Sequence, residues 1–529
     1  MSVTRREFLY RVGQAGGYRA AFATMQALGL LPAVAASAST VDLAPRSGKG
    51  IRVAILGGGI AGVVAAYEMG QAGYECTVLE ARERPGGRNW TVRRGTQVQF
   101  LDGTVQDCAF DEGHYFNAGP ARLPSIHHTI LGYCRKLGIP LEVEVNTSRS
   151  SLLQNQKAFD GRPVEQREAI NDTRGHVSEL LAKTVNQHLL DGQLAADDTE
   201  KMIEFLRIYG PLDADLLYKG SDRAGVRQLP GAGPQEEILR APLSMDSLLD
   251  ASFWQGMMFE EMLDMQATMF EPVGGMDRIP YAFAKTLGEV IHYNSPVTEI
   301  RRTERGVRIH YTTAGASHIL EADYCICALP LTQVRKIPND FSPQVKSAIA
   351  ETHYDSAYKV AWESPRFWET ERNIYGGLSF LVNDPISVVW YPSRGLFTDR
   401  GVVVSGYSIE NGTDFGKLPS RQAKLEASRN AMEKLHPGFS RLMEKPIYMS
   451  WGQIPWNEGS WISRGRRGGF DETSAEFYNG PYKVITEPDG PFIFAGDHTA
   501  RVGAWQEGAA LSAHRAAQLI AGMVKARQA

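Results

Sequence analysis

Gly57, Gly59 and Gly62 stand at G-x-G-x-x-G spacing, directly after an apolar run and before a helix-prone one. That pattern suits the binding of a dinucleotide pyrophosphate. The first glycine permits a tight turn, the second lets the backbone approach the phosphates, and the third lets helix pack on strand, with the helix N-terminus facing the negative charge. A second apolar stretch, 76–79, ends in Glu80, where an acid can hydrogen-bond a ribose hydroxyl pair; an arginine there would suit a 2′-phosphate instead. A lysine framed by apolar residues stands further along, at Lys359. In Ala357-Tyr358-Lys359-Val360-Ala361-Trp362, strand alternation puts Tyr358, Val360 and Trp362 on one face and the lysine between two alanines on the other. Burial there lowers an amine's pKa unless an anion offsets it, and the competing reading is an edge lysine that snorkels to water.

These groups need particular elements to hold them. The glycines require a strand over 51–56, a helix over 63–71 and a parallel strand over 76–79. Further strands are predicted at 91–92, 98–101, 290–293, 297–301, 307–311, 319–320, 324–329, 388–391 and 491–495. Between them the pattern turns helical, with predicted helices over 125–137, 174–190, 195–209 and 245–269, and another ending at 287. Met257, Met258, Met262, Met265 and Met269 in the fourth helix read as core or pocket-lining residues.

A chain of 529 residues with 43% hydrophobic content can bury a large core and is expected to form two intertwined domains. Its formal net charge of −4 gives no sign of a nucleic-acid or membrane-surface partner, and basic clusters such as 464–467 are short. The cysteines, Cys76, Cys108, Cys134, Cys325 and Cys327, are odd in number and lack metal-site spacing. No disulfide framework and no metal are expected.

The N-terminus reads as an export signal. Thr4-Arg5-Arg6-Glu7-Phe8-Leu9 matches the twin-arginine pattern, an uncharged alanine-rich run follows over 20–38, and Ala36-Ser37-Ala38 offers a cleavage site. Thr24, Gln26, Gly29 and Pro32 interrupt that run too often for a stable membrane span. The alternative is an amphipathic helix that stays attached, leaving the protein cytoplasmic.

The run Glu80-Ala81-Arg82-Glu83-Arg84-Pro85-Gly86-Gly87-Arg88 resembles the flavin amine oxidase superfamily rather than nicotinamide dehydrogenases. Two further blocks carry the same resemblance. Gly119-Pro120-Ala121-Arg122-Leu123-Pro124 is similar to a segment of the L-amino acid oxidases, and Gly496-Asp497, with Ala504-Trp505-Gln506-Glu507-Gly508, is similar to the family's second flavin signature. The resemblance implies an α/β fold: a Rossmann-type FAD-binding domain interleaved with a mixed α+β substrate domain and a helical insertion. The implied division is a signal segment 1–38, FAD-binding parts 50–124, 273–335 and 481–529, helical substrate part 125–272 and substrate sheet 336–480.

The resemblance also implies roles for particular residues. FAD would lie against Gly57, Gly59, Ile60, Ala61 and Gly62, then Glu80, Ala81 and Arg82, then Gly87 and Arg88, with Gly119, Pro120, Ala121 and Arg122 across from them and Trp456, Trp461, Ala504 and Trp505 also in contact. Val297 would sit beside the adenine, and Asp497, after Gly496, would bond the ribityl or phosphate end. Arg122 would receive a substrate carboxylate as a two-pronged pair, with Tyr391 adding a hydroxyl. Lys359 would hold a water beside the flavin, and Trp505 would line the substrate cavity. Trp456 and Trp461 flank a loop where some monoamine oxidases carry a flavin-linked cysteine; this chain has none there, so noncovalent FAD is expected. Two departures stand out. Asp497 replaces a usual glutamate, and Ala504 replaces a frequent glycine, narrowing the substrate's α-amino side. His176 and His188 are available in the helical part, but no motif assigns them a role.

The implied activity is oxidative deamination of L-amino acids to 2-oxo acids, with ammonia and hydrogen peroxide, by hydride transfer from Cα to flavin N5. The implied partners are the amino acid and oxygen, and a homodimer or higher homo-oligomer is expected. Three rivals remain: an amide-forming L-amino acid 2-monooxygenase, an amine or polyamine oxidase, and a flavoprotein without catalysis.

Overall fold

A computed structural model describes residues 41–463 and 475–528; the expected signal segment 1–38 and the basic run 464–467 lie outside the described residues. A five-stranded parallel sheet organises the first half of the architecture. Its order is Ile291–His292, Glu75–Leu79, Arg52–Leu56, Tyr324–Cys327, Phe492–Phe494. Three distant stretches of chain therefore build one sheet, in register from Val53 opposite Cys76 and Tyr324 to Leu56 opposite Leu79 and Cys327. Both faces are covered, which explains why Val53, Ala54, Ile55 and Leu56 are all buried. The helix Ile60–Gln71 and the last helix, Gln506–Gln528, pack together on one face.

The second half is a seven-stranded mixed sheet. Its order is Val164–Glu165, Leu152–Asn155, Gly377–Val382, Val388–Tyr391, Arg400–Ile409, Ala357–Pro365, Glu444–Ser450. Ala357–Pro365 lies between two antiparallel neighbours, and its register against Arg400–Ile409 shifts between Lys359 and Ala361. A smaller three-stranded sheet puts Met269–Pro272 between Leu123–Pro124 and Leu141–Glu144. This small sheet sets the position of Arg122, the residue just before Leu123.

The helical region departs from its sequence pattern in two places. The predicted helix 174–190 begins earlier, at Gln166, because Glu165 and Glu168 form a reciprocal capping box, and it ends at Asn186. The predicted helix 245–269 breaks into Met245–Ala251, Trp254–Met257 and two short 3-10 turns. Ser252 adopts a left-handed conformation that ends the first piece. Met257, Met262 and Met265 pack against residues of the large sheet, Met258 is exposed and Met269 belongs to the small sheet, so the methionine spacing does not mark one continuous helix. Among the described residues no helix is long and apolar enough to cross a membrane.

Candidate active site

The carboxyl ends of the parallel strands open onto one cavity of about 1710 Å³. Ligands of open α/β sheets bind at such ends. Gly57 leaves Arg52–Leu56 with φ +99°, a left-handed conformation suited to glycine. A Cβ on Gly62 would meet the Gly57 carbonyl oxygen at 1.9 Å, so only glycine lets the helix begin that close to the turn. Ile60 and Ala61 at that helix's N-terminus line the cavity, as do Gln506 and Ala509 at the start of the last helix. Two positive helix ends therefore face the same space, with Arg82 and Arg88 beside them.

Glu80 fixes the turn from the neighbouring strand. Its Oε2 accepts from Gly58 N at 2.7 Å and its Oε1 from Arg82 N at 2.9 Å, and the side chain lines the cavity. Arg82 donates to the Pro455 carbonyl and Asn457 Oδ1, each at 2.5 Å, and Arg88 donates to the Ser460 carbonyl. These bonds hold the 455–460 loop over the cavity. Trp456 and Trp461 both line it, Trp461 with its Nε1 donating to Asp355 Oδ2 at 3.1 Å. Asp497 ties the far end together: Oδ1 accepts from Ala504 N at 2.6 Å and Oδ2 from Ile462 N at 2.9 Å. Ala81, Gly87, Gly119, Pro120, Ala121, Val297 and Gly496 also line this cavity.

Two further cavity residues pair with each other, Asn89 from outside the sequence motifs and Gln506 from within the second flavin signature. Asn89 Nδ2 donates to Gln506 Oε1 at 2.5 Å, leaving Asn89 Oδ1 and Gln506 Nε2 buried without partners among the described residues. A buried acceptor and donor left unpaired beside a cavity are costly unless a ligand meets them. Together with the glycine turn and two helix N-termini, they fit a large cofactor with a phosphate middle and a polar ring edge.

At the other end of the cavity the lining becomes aromatic and apolar, with Phe259, Leu378, Phe380, Val388, Trp390, Tyr407 and Trp505. Met258, Met262 and Met265 also line it. Arg122 is buried among these rings, 6% exposed, with its Cζ 4.7 Å from the Trp390 ring, 5.5 Å from Phe259 and 6.0 Å from Trp505. Its Nη1 donates to Asn146 Oδ1, and Asn146 Nδ2 donates to the Met265 carbonyl at 2.8 Å. Burial lowers the Arg122 pKa, and the Glu144 carboxylate partly offsets this.

Lys359 is also buried and faces the cavity. Its Nζ donates to the Asn117 and Gly119 carbonyls at 2.7 and 2.6 Å. Burial, then repulsion from Arg122 and Arg394, pulls its pKa down to about 7.

Tyr391 is a correction. Its side chain is fully buried in the core, with its hydroxyl 3.0 Å from Ser379 Oγ and 2.7 Å from His436 Nε2. Side chains alternate along Val388–Tyr391, so the neighbouring Trp390 faces the cavity and Tyr391 faces away. Alternation alone leaves open which of two adjacent aromatic residues points inward. His176 and His188 lie elsewhere: His176 Nε2 is 2.7 Å from the Leu243 carbonyl oxygen and exposed His188 pairs with Asp191. Asn89, Glu144, Asn146, Trp390 and Tyr407 come to the site only through the fold, whereas Gln506 stands in the second flavin signature, which by itself assigns it no role.

A parallel sheet with a glycine turn at the mouth of a large cavity, and a buried arginine and lysine at its far end, defines a dinucleotide-binding protein with a second, small-molecule end to its site. The chain belongs to the flavin containing amine oxidoreductase family, whose model matches residues 60–521. It is therefore an amine oxidoreductase whose cofactor is a flavin. An L-amino-acid oxidase of Notechis scutatus scutatus is 27% identical over 469 residues, covering 86% of this chain and 83% of that protein. A putative L-amino-acid oxidase of Bacillus subtilis is 26% identical over 493 residues, covering 88% and 93%. Two solved structures share the fold. Putrescine oxidase bound to putrescine has a TM-score of 0.57 at 17% identity, covering 90% of this chain and 99% of its own. Cyclohexylamine oxidase from Brevibacterium oxydans has a TM-score of 0.58 at 16% identity, with the same coverage.

Proposed function

We propose that this chain is an FAD-dependent L-amino acid oxidase, converting L-amino acids and oxygen to 2-oxo acids, ammonia and hydrogen peroxide. One observation carries the reading. Arg122 places a guanidinium at the aromatic end of the cavity, buried, with no carboxylate of the described residues in direct contact. A buried cation without a paired anion is costly, and a substrate carboxylate would offset that cost with two parallel charge-assisted bonds. A simple amine offers no such group.

FAD, held by the glycine turn, Glu80, Arg82 and Arg88, would supply a two-electron acceptor for the substrate Cα–H that oxygen can reoxidise. The protein's own part is to bind and orient. Arg122 fixes the acid end, while Trp390, Phe259 and Trp505 surround the guanidinium and keep water from competing for it. Lys359 spends two N–H donors on carbonyls and has a third for the cavity, with a proton that is labile near neutral pH. The methionines and aromatic side chains lining the same end suit an apolar substrate side chain. No cysteine lines the cavity among the described residues, which supports noncovalent FAD.

A peroxide assay over the twenty L-amino acids, their D-enantiomers and the corresponding decarboxylated amines tests this. L-amino acids should be oxidised, and the amines should not. Equal rates on the amines would sink the carboxylate reading, and an amide product would indicate the monooxygenase. Export by the twin-arginine segment is proposed separately; unchanged export after Arg5 and Arg6 are both replaced by lysine would reject it.

A further inference from the structure

Behind the wall that carries Arg122 is a second, much smaller cavity of about 30 Å³, large enough for one water. Glu144, Glu271, Lys359, Trp390 and Arg394 line it. Glu271 is matched there: Arg394 Nη1 donates to both its carboxylate oxygens, at 3.2 and 3.0 Å, and Asn117 Nδ2 donates to Oε2 at 3.2 Å. Glu144 is not matched in this way. It is 4% exposed, its Oε1 accepts from Trp390 Nε1 at 2.9 Å, and its Oε2 has no partner among the described residues.

Trp390 connects the two charges. One face of its ring lies against the Arg122 guanidinium while its N–H holds the Glu144 carboxylate. Met269–Pro272 fixes the same pair from below, since it carries Leu123 on one side and Glu144 on the other. Glu144 is thus the carboxylate left to balance Arg122 at a distance. A second carboxylate on Arg122 would put two anions on one guanidinium in a site that excludes water.

We propose that Glu144 is a positioning residue that acts through Arg122, taking up one proton from solvent when a carboxylate ligand binds there and giving it back when the ligand leaves. This inference rests on the carboxylate reading above. The charged groups that face Glu144 support it. Burial and Glu271 oppose its ionisation, Arg122, Arg394 and the Trp390 N–H favour it, and the free carboxyl is held up at about 7. A ligand carboxylate cancels the help from Arg122, so the pKa rises further on binding. Uptake therefore occurs above about pH 7 and vanishes well below it, where Glu144 is already neutral. Lys359 is the rival acceptor, because Arg122 also lowers its pKa.

The test uses the flavin-loaded protein and benzoate, a carboxylate that the enzyme cannot oxidise. Calorimetric titration at about pH 8 in two buffers of different ionisation enthalpy counts the protons. The wild type should take up a large fraction of one proton, with affinity falling up to about tenfold per pH unit above neutrality. Glu144→Gln should bind benzoate with no uptake and little pH dependence, and Lys359→Met should keep the uptake. Uptake retained in Glu144→Gln, lost in Lys359→Met, or absent from a wild type that binds benzoate would overturn the proposal. If Glu144→Gln does not retain flavin, Trp390→Phe carries the test: losing the N–H should move the onset of uptake to higher pH, and an unmoved onset counts against Glu144. A protein that does not bind benzoate, or binds it equally as Arg122→Met, refutes the carboxylate site itself and this inference with it.

Discussion

Lys359 on the large mixed sheet donates to the carbonyl oxygens of Asn117 and Gly119 in the dinucleotide-binding half, at 2.7 and 2.6 Å. One amine therefore joins the two halves of the molecule at the wall of the cavity. Its environment also sets a pH dependence. The folded pKa is pulled down to about 7 from an ordinary 10.5, so between those values the unfolded chain binds more protons and stability rises with pH. Below about 7 that increment is lost. Lys359→Met should flatten the pH dependence of chemical denaturation across this window. A dependence as steep as that of the wild type would mean the amine is not held neutral by burial.

Arg122→Lys tests geometry apart from charge. An ammonium keeps the sign but cannot make two parallel bonds to a carboxylate. The truncation Arg122→Met should cost about 2–5 kcal/mol in kcat/KM on L-amino acids, roughly 30-fold to several-thousand-fold, with lysine recovering only part of it. Flavin absorbance per protein should be unchanged in both variants. Full recovery by lysine would show that charge alone suffices.

Tyr391→Phe should leave the KM for amino acids near that of the wild type, because the hydroxyl faces Ser379 and His436 and not the cavity. The cost should appear in stability, about 1–3 kcal/mol in urea denaturation, as buried polar partners lose their bond. A large rise in KM with intact stability would return the hydroxyl to the substrate.

Ala504 sits at φ +64° between Asp497, which accepts its N–H, and the cavity. A left-handed alanine costs roughly 1–2 kcal/mol that glycine avoids, against about 0.5–1 kcal/mol of extra chain entropy for glycine. Ala504→Gly should therefore be neutral or slightly stabilising, read as an unchanged or raised Tm. A clear fall in Tm would show that the methyl group contributes packing that outweighs the strain.

Gly62→Ala should lose flavin. A methyl group 1.9 Å from the Gly57 carbonyl oxygen must push the helix away from the turn it begins on. The flavin-to-protein absorbance ratio measures this directly, and a normal ratio would show that the turn can move without penalty.

The local chemistry of the chain was readable in one dimension. The glycine turn needs only neighbours in sequence, because tight turn, helix start and strand end are consecutive at 52–62. The alternation around Lys359 is likewise local, as are the capping and composition signals. Sequence could also place Arg122 in its motif, since a resemblance is itself a linear match.

What closes around those residues depends on contacts between distant segments. Arg122 meets Trp390, Phe259 and Trp505 from three separate stretches, and Glu144 reaches the guanidinium's neighbourhood through a small sheet formed by residues 123–124, 141–144 and 269–272. Alternation made one of Trp390 and Tyr391 face the cavity, but only packing selected the tryptophan: the phenol found Ser379 and His436 in the core, and the indole N–H found Glu144. The helix 245–269 broke for the same kind of reason, because burial against the large sheet rewards a fitted wall over an unbroken spiral. Periodicity records which residues prefer to be buried, and the partners that bury them are a property of the folded chain.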